Sequence, residues 1–251
     1  MKWSDWKVKA GILLIFLAII FYTADYLIFK DAKSVLFYIG IDLAFIPVEI
    51  LILVLVVESA INKKEKQIIM EKLNMVIGAF FSEVGTDLLR HFSVFDDNKN
   101  NIKENLLVKM DWTENDFLNS AETIKSYEYG INLKSDLGSD VLLYDLKTFL
   151  KDKREFMLRL LENPNLLEHD RFTDLLWAVF HLTEELDSRG KLEDLPDADY
   201  QHLALDIQRA YSLLIYEWLE YMEHLMENYP YLFSLALRTN PFDPEAKVEI
   251  N

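Results

Sequence analysis

Residues 10–29, AGILLIFLAIIFYTADYLIF, and residues 35–57, VLFYIGIDLAFIPVEILILVLVV, decide the fold. As helices rising about 1.5 Å per residue, both runs are long enough to cross a hydrocarbon core roughly 30 Å thick. The turn between them, Lys30-Asp31-Ala32-Lys33, is so short that the two spans must run antiparallel. Residues 1–60 therefore read as a two-helix transmembrane hairpin in the cell membrane, and the lipid bilayer is the first expected partner. Lys2, Lys7 and Lys9 precede the first run, and Lys63, Lys64 and Lys66 follow the second; only Lys30 and Lys33 lie in the turn. The positive-inside rule puts both termini in the cytoplasm. Trp3, Trp6, Tyr26 and Tyr38 suit the two membrane interfaces. The first run is too long for the apolar core of a cleaved signal, and no small-residue cleavage pattern follows it, so an uncleaved anchor is expected.

Three acids interrupt the apolar runs without a basic partner inside either: Asp25, Asp42 and Glu49. An ionisable group in hydrocarbon is costly and usually faces protein or water. Asp25 and Asp42 lie toward the turn, at an expected common depth within reach of hydration. Glu49 lies near mid-span with no polar residue of the first helix opposite it. Two helices cannot enclose a pore, so Glu49 is expected to stay protonated in a helix contact, to meet a second copy or a membrane partner through the second span, or to serve an oligomeric proton or cation pathway. Pro47 should kink this helix.

The chain has 251 residues and a net charge of −16. Setting aside five lysines and six acids in residues 1–60 leaves 21 basic and 36 acidic residues in 61–251. That surface repels phosphate backbones, which excludes nucleic acid as a partner, and it repels anionic lipid. There is no cysteine, so disulfides, thiolate nucleophiles and cysteine-ligated zinc are excluded.

Residues 61–251 read as an all-α cytosolic bundle, giving an all-α chain overall. A long juxtamembrane helix over 61–95 is expected from the seam Ile69, Leu73, Val76, Phe80, Val84 and Leu88, weakened locally by Gly78 and Gly85. A polar loop at 96–101 and a Thr113 N-cap come next, leading into a short helix to about Tyr127. A glycine-containing connection spans 128–138. Further helices are expected from Ser139 to about Glu162, from Arg171 to Ser188, from a cap at Asp197 to Asn228, and between Pro230 and Pro241. Trp112, Trp177 and Trp218 read as core, and the aromatic C-terminal stretch as a lid.

Four of the five histidines have a carboxylate four residues away, on the same helix face: Asp87 and His91, His181 and Glu185, His202 and Asp206, Glu220 and His224. Such pairs stabilise ordinary helix faces and also build metal sites in bundles. His202 and His224 are about 33 Å apart along one helix and cannot share a site. The short connection near Glu193 makes the helices of 171–188 and 198–228 antiparallel neighbours. That brings His181 and Glu185 level with His202 and Asp206, a set able to hold Zn, Fe or Mn. Leu175 to Phe180 are apolar all round, so both faces of that helix are expected to be covered. His169-Asp170 resembles the paired His-Asp of metal phosphohydrolases only as a dipeptide in a loop, which identifies nothing by itself. No glycine-rich phosphate loop, nucleophile elbow or His-Glu-x-x-His occurs.

Three functions follow from these residues. The first is a membrane-anchored binding, scaffolding or signal-relay module, self-associating through its hairpin. The second is a metal-dependent membrane enzyme centred on His181, Glu185, His202 and Asp206, and the third is an oligomeric ion path using Glu49 and Asp42.

Overall fold

A computed structural model describes residues 5–133 and 139–249. The expectations for Lys2 and Trp3, for the side chains of Trp6 and Lys7, and for residues 134–138 of the connection lie outside the described residues. The chain divides into two compact units, Met1–Lys66 and Gln67–Asn251. Among the described residues every regular element is helical; the one β-type pairing is an isolated bridge between Asp96 and Ile131.

The first unit holds α1, Asp5–Phe29, and the beginning of α2, Ala32–Phe80. Lys30 closes α1 in the left-handed region, at φ 51°, with its N–H on Tyr26 O at 2.8 Å. Asp31 then starts α2, accepting the Lys33 N–H at 3.0 Å and the Ser34 hydroxyl at 2.6 Å. Helix α2 runs through Pro47 without ending. Both helices are long and apolar enough to cross a membrane, and their side chains face outward. The Tyr22 hydroxyl donates to the Asp42 carboxylate. This fixes a register that differs from the expected common depth of the two aspartates. Asp25 lies nearer the turn than Tyr22, the α1 residue that meets Asp42. Glu49 has no hydrogen bond or ion pair among the described residues.

The second unit begins within α2. The expected helix over 61–95 runs on to Ser93 without a break, with a π-helical turn inside it. Helix α2 ends at Phe80, a π-helical turn spans Phe81–Gly85, and α3 covers Thr86–Ser93. The wide turn lets two consecutive rings, Phe80 and Phe81, both enter the core, which a regular helix would point about 100° apart. Thr86 steadies the turn by donating its hydroxyl to Phe81 O at 2.8 Å. Gly85 is required because a Cβ there would lie 2.5 Å from Phe81 Cδ1 and 2.9 Å from Phe80 Cε1.

The segment expected as a polar loop contains a 3-10 turn, Lys99–Asn101, and is followed by the short α4, Lys103–Leu106. Asp96 is buried and holds this region to the next connection. It accepts the Tyr127 hydroxyl at 2.6 Å and the Gly130 N–H at 2.9 Å. Helix α5, Glu114–Lys125, starts at Thr113, whose N–H and hydroxyl both donate to Asp116 at 2.7 Å. Helix α6, Ser139–Leu161, ends at Asn163-Pro164, where a 3-10 turn over Pro164–Glu168 leads into α7, Asp170–Ser188.

Helix α8, Asp197–Asn228, is the longest element of the second unit and returns antiparallel to α7. Asp197 is its first residue rather than its cap; Pro196 occupies the cap position, and its fixed φ of −56° sets the chain into the helix. Leu175, Leu176, Val179, Leu182 and Leu186 of α7 pack in one core with Leu203, Ile207, Ala210 and Leu214 of α8. Trp177 corrects the expectation that both faces of α7 are covered, because it is 60% exposed. It lies on the exposed stripe of α7 with Asp174 and His181. Trp218 is core, and α9, Pro230–Arg238, closes over the bundle through buried Phe233. Phe242 completes that closure with its ring 5.2 Å from Trp218.

The crowding at Gly85 yields a prediction. Gly85→Val drives a branched side chain into two buried rings and is expected to cost about 1–3 kcal/mol, measured as a lower unfolding midpoint in denaturant. An unchanged midpoint would mean the π-helical turn is not held by this contact.

A candidate metal centre on the α7–α8 pair

The register of α7 against α8 is pinned at the connection by Arg189. Its Nη1 bonds Glu185 Oε2 at 2.6 Å and its Nη2 bonds Asp199 Oδ1 at 3.0 Å. Lys147 Nζ caps the end of α7 from α6 by donating to Arg189 O at 2.8 Å. With the helix ends fixed this way, the two i,i+4 pairs interleave. His181 Nε2 lies 3.4 Å from Asp206 Oδ2 and 4.0 Å from Glu185 Oε1. His202 Nε2 lies 3.4 Å from the same Asp206 Oδ2 and 3.6 Å from Glu185 Oε2. The two imidazole planes are inclined at 85°.

These four side chains differ in burial. Asp206 is 3% exposed, whereas the histidine side chains are about half exposed, at 46% and 48%. Asp206 Oδ1 meets Arg209 Nη1 at 3.4 Å. Oδ2 is buried and has no hydrogen-bond partner, although two ring nitrogens stand 3.4 Å from it. Glu185 is held below the usual carboxylate range, chiefly by its hydrogen bond from Arg189. His181 Nε2, His202 Nε2 and Asp206 Oδ2 are the three atoms best disposed to hold a metal, all lying within 4.8 Å of one another.

The other two histidine pairs do not assemble. Asp87 bonds Arg90 at 2.6 Å, while the His91 ring packs on Phe149 and burial lowers its pKa. Glu220 is taken by Arg171 at 2.6 Å, and His224 Nδ1 sits 3.1 Å from Asn74 Nδ2.

A second cluster was not foreseen in the sequence. The register that pairs His181 with Asp206 also brings His169 and Arg171 of the α7 start to Glu217 and Glu220 of α8. His169 Nε2 lies 4.0 Å from Glu217 Oε2, and Arg171 Nη1 lies 3.9 Å from Glu217 Oε1. His169 is the N-cap of α7, its Nδ1 accepting the Phe172 N–H at 3.1 Å. An Nδ1 used as acceptor carries no proton, so the neutral ring is protonated at Nε2. That nitrogen has no lone pair to offer a metal, which separates this cluster from the first. Glu217 is 1% exposed, and burial, reinforced by Glu220 and opposed by Arg171, pushes its pKa up to about 8. The only sign of this cluster in the sequence is a helix-capping His one turn before a helical Phe.

The second unit also carries an apolar groove of about 690 Å³ between the end of α2, α8 and α9, bordered by Met75, Phe81, Tyr221, Leu225 and Leu232.

Two family models match the chain. Residues 2–61 match the N-terminal helical domain of MJ1433, and residues 69–238 match the C-terminal helical domain of the uncharacterized protein MJ1433. The chain belongs to the MJ1433 family. The protein MJ1433 of Methanocaldococcus jannaschii is 44% identical to it over 233 residues, covering 93% of this chain and 92% of that protein. No solved structure matches. The histidine–carboxylate cluster lies entirely within the segment that matches the C-terminal domain of MJ1433.

Glu217 gives a pH prediction. Between its ordinary value near 4.5 and about 8, the folded chain keeps a proton that the unfolded chain loses. This group's contribution to stability therefore falls as pH rises across that window and is level above it. Glu217→Gln is expected to be more stable than the parent at pH 8, by a few kcal/mol as an order of magnitude, and to converge on it near pH 4.5. Parallel stability curves for the two proteins across this range would refute the assignment.

Proposed function

We propose that this chain is a membrane-tethered helical module. Its first unit inserts as a two-span hairpin, and its acidic second unit works as a binding or relay domain on the cytoplasmic side. The observation that supports this reading is the outward face of α1 and of the first half of α2. Phe21, Ile28 and Leu53 are 68%, 71% and 62% exposed, and they are typical of their neighbours. Burying one large apolar side chain is worth about 1.5–3 kcal/mol. Water is therefore a poor solvent for these two helices, and hydrocarbon is a good one.

Charge supports the orientation. Lysines flank the outer ends of both helices, which the positive-inside rule assigns to the cytoplasm. The second unit is strongly acidic and is repelled by anionic headgroups, so it works away from the bilayer surface. The chain passes from one unit to the other inside α2, which gives a relay a continuous helical path. Tyr22 satisfies Asp42 within the hairpin, whereas Glu49 has no such partner among the described residues. In hydrocarbon that group calls for a donor from a neighbouring copy, and the reading includes self-association through this face of α2.

The full chain is expected in the membrane fraction, resistant to alkaline carbonate and released by detergent. A C-terminal tag should become accessible only after the cells are permeabilised. Recovery of the chain in buffer without detergent, or labelling of the tag on intact cells, would defeat the reading. For self-association, native mass in detergent should show an assembly that Glu49→Leu weakens. A strictly monomeric parent would remove that part.

A further inference from the structure

The α7–α8 cluster lies wholly in the second unit, and what it implies stands whether or not the first unit crosses a bilayer. We infer that His181 Nε2, His202 Nε2 and Asp206 Oδ2 form a three-ligand site for a zinc-class divalent transition metal, with a fourth position open to solvent.

Distance carries the first part of the argument. Ligand atoms about 2.0–2.1 Å from a tetrahedral zinc ion stand roughly 3.3–3.4 Å from one another. Both histidine nitrogens lie 3.4 Å from Asp206 Oδ2. An octahedral ion with bonds of about 2.1 Å sets neighbouring ligands roughly 3.0 Å apart. The two histidine–carboxylate distances match the wider, tetrahedral spacing. Two imidazoles with one carboxylate also select zinc-class metals over calcium and magnesium, which prefer oxygen ligands alone.

The second part is the state of Asp206. Its Oδ2 is buried without a hydrogen bond, and neither imidazole meets it in hydrogen-bonding geometry despite the 3.4 Å approach. A buried carboxylate oxygen with no donor is costly. A cation between this oxygen and the two nitrogens offsets that cost and accounts for three donor atoms converging without bonding one another. Arg209 on Oδ1 holds the carboxylate in place, as outer groups do at metal centres.

The third part is the open position. Glu185 is the fourth member of the cluster, but its Oε2 is bound by Arg189 at 2.6 Å, and Arg189 is itself anchored on Asp199. Glu185 therefore stands beside the metal rather than on it. The half-exposed histidines leave the remaining coordination position facing solvent. Three protein ligands plus water is the arrangement of zinc sites that bind or activate a small molecule, whereas structural sites are closed by four. Glu185 is then the group placed to accept a hydrogen bond from the metal-bound water.

The test uses the full chain in detergent, freed of its affinity tag, stripped with a chelator and titrated with Zn²⁺ and, separately, with Co²⁺. About one equivalent of zinc should bind, and cobalt should give the intense visible bands of a four-coordinate ion. His181→Ala and His202→Ala alter half-exposed side chains and should leave the helical circular dichroism intact. Each should weaken zinc binding by more than the roughly 10–100-fold typical of an outer-shell residue. Glu185→Gln removes an outer group and should weaken zinc binding by no more than roughly 10–100-fold. Retention of less than about a tenth of an equivalent at saturating zinc, or affinity unchanged in both histidine variants, overturns the site. A loss in Glu185→Gln as large as in His181→Ala overturns the open position, as would the weak bands of six-coordinate cobalt.

Discussion

The antiparallel register of α7 against α8 is the constraint from which the rest of the second unit follows. A leucine-rich seam supplies the adhesion, but leucines alone tolerate sliding. Arg189 removes that freedom by joining the last turn of α7, through Glu185, to the first turn of α8, through Asp199. One register then fixes two polar clusters at opposite ends of the pair. Near the connection it sets two imidazoles and Asp206 together. Far from it, the same alignment stacks Arg171 on the Tyr216 ring at 4.1 Å and brings His169 to Glu217. Asp206 and Glu217 lie on the same helix and are equally buried, yet their surroundings give them different chemistry. Asp206 looks out between the half-exposed ring nitrogens of His181 and His202. Glu217 looks into a closed corner, where the facing nitrogen is committed to a proton and the carboxyl keeps its own.

The two units have opposite relations to solvent. In the second, apolar side chains turn inward around α8 and acids cover the outside. In the first, the apolar side chains turn outward, and Tyr22 pairs with Asp42. Hydrocarbon suits the first surface and water the second, which is the ground of the proposed tether. The transition falls inside α2, near the three lysines Lys63, Lys64 and Lys66, where apolar composition gives way to charge.

Much of this was legible in the sequence, because helix boundaries are local chemistry. Asn163-Pro164, Thr113 with Asp116, and Pro230 act through their own backbone, and the elements begin or end where these residues require. The foursome of His181, Glu185, His202 and Asp206 was legible for a similar reason: helical spacing and a short connection settle which residues stand level. What depends on rotation about a helix axis was not legible. Trp177 reads as core by composition, yet it falls on the exposed stripe of α7. Gly85 reads as a weak point in a helix, whereas it makes room for two consecutive core rings in a wider turn. The two carboxylate partners of Arg189 emerge only when α8 is folded back. His169 reads as a loop residue until the next turn shows it capping α7.

X-ray absorption at the zinc edge of the loaded full-length protein bears most directly on the α7–α8 centre, since it reports the atoms around the metal without reference to any reaction. The account predicts a shell of about four nitrogen and oxygen atoms near 2.0–2.1 Å, with the outer-shell scattering of two imidazole rings. A shell of six oxygens, or one without imidazole scattering, would contradict it.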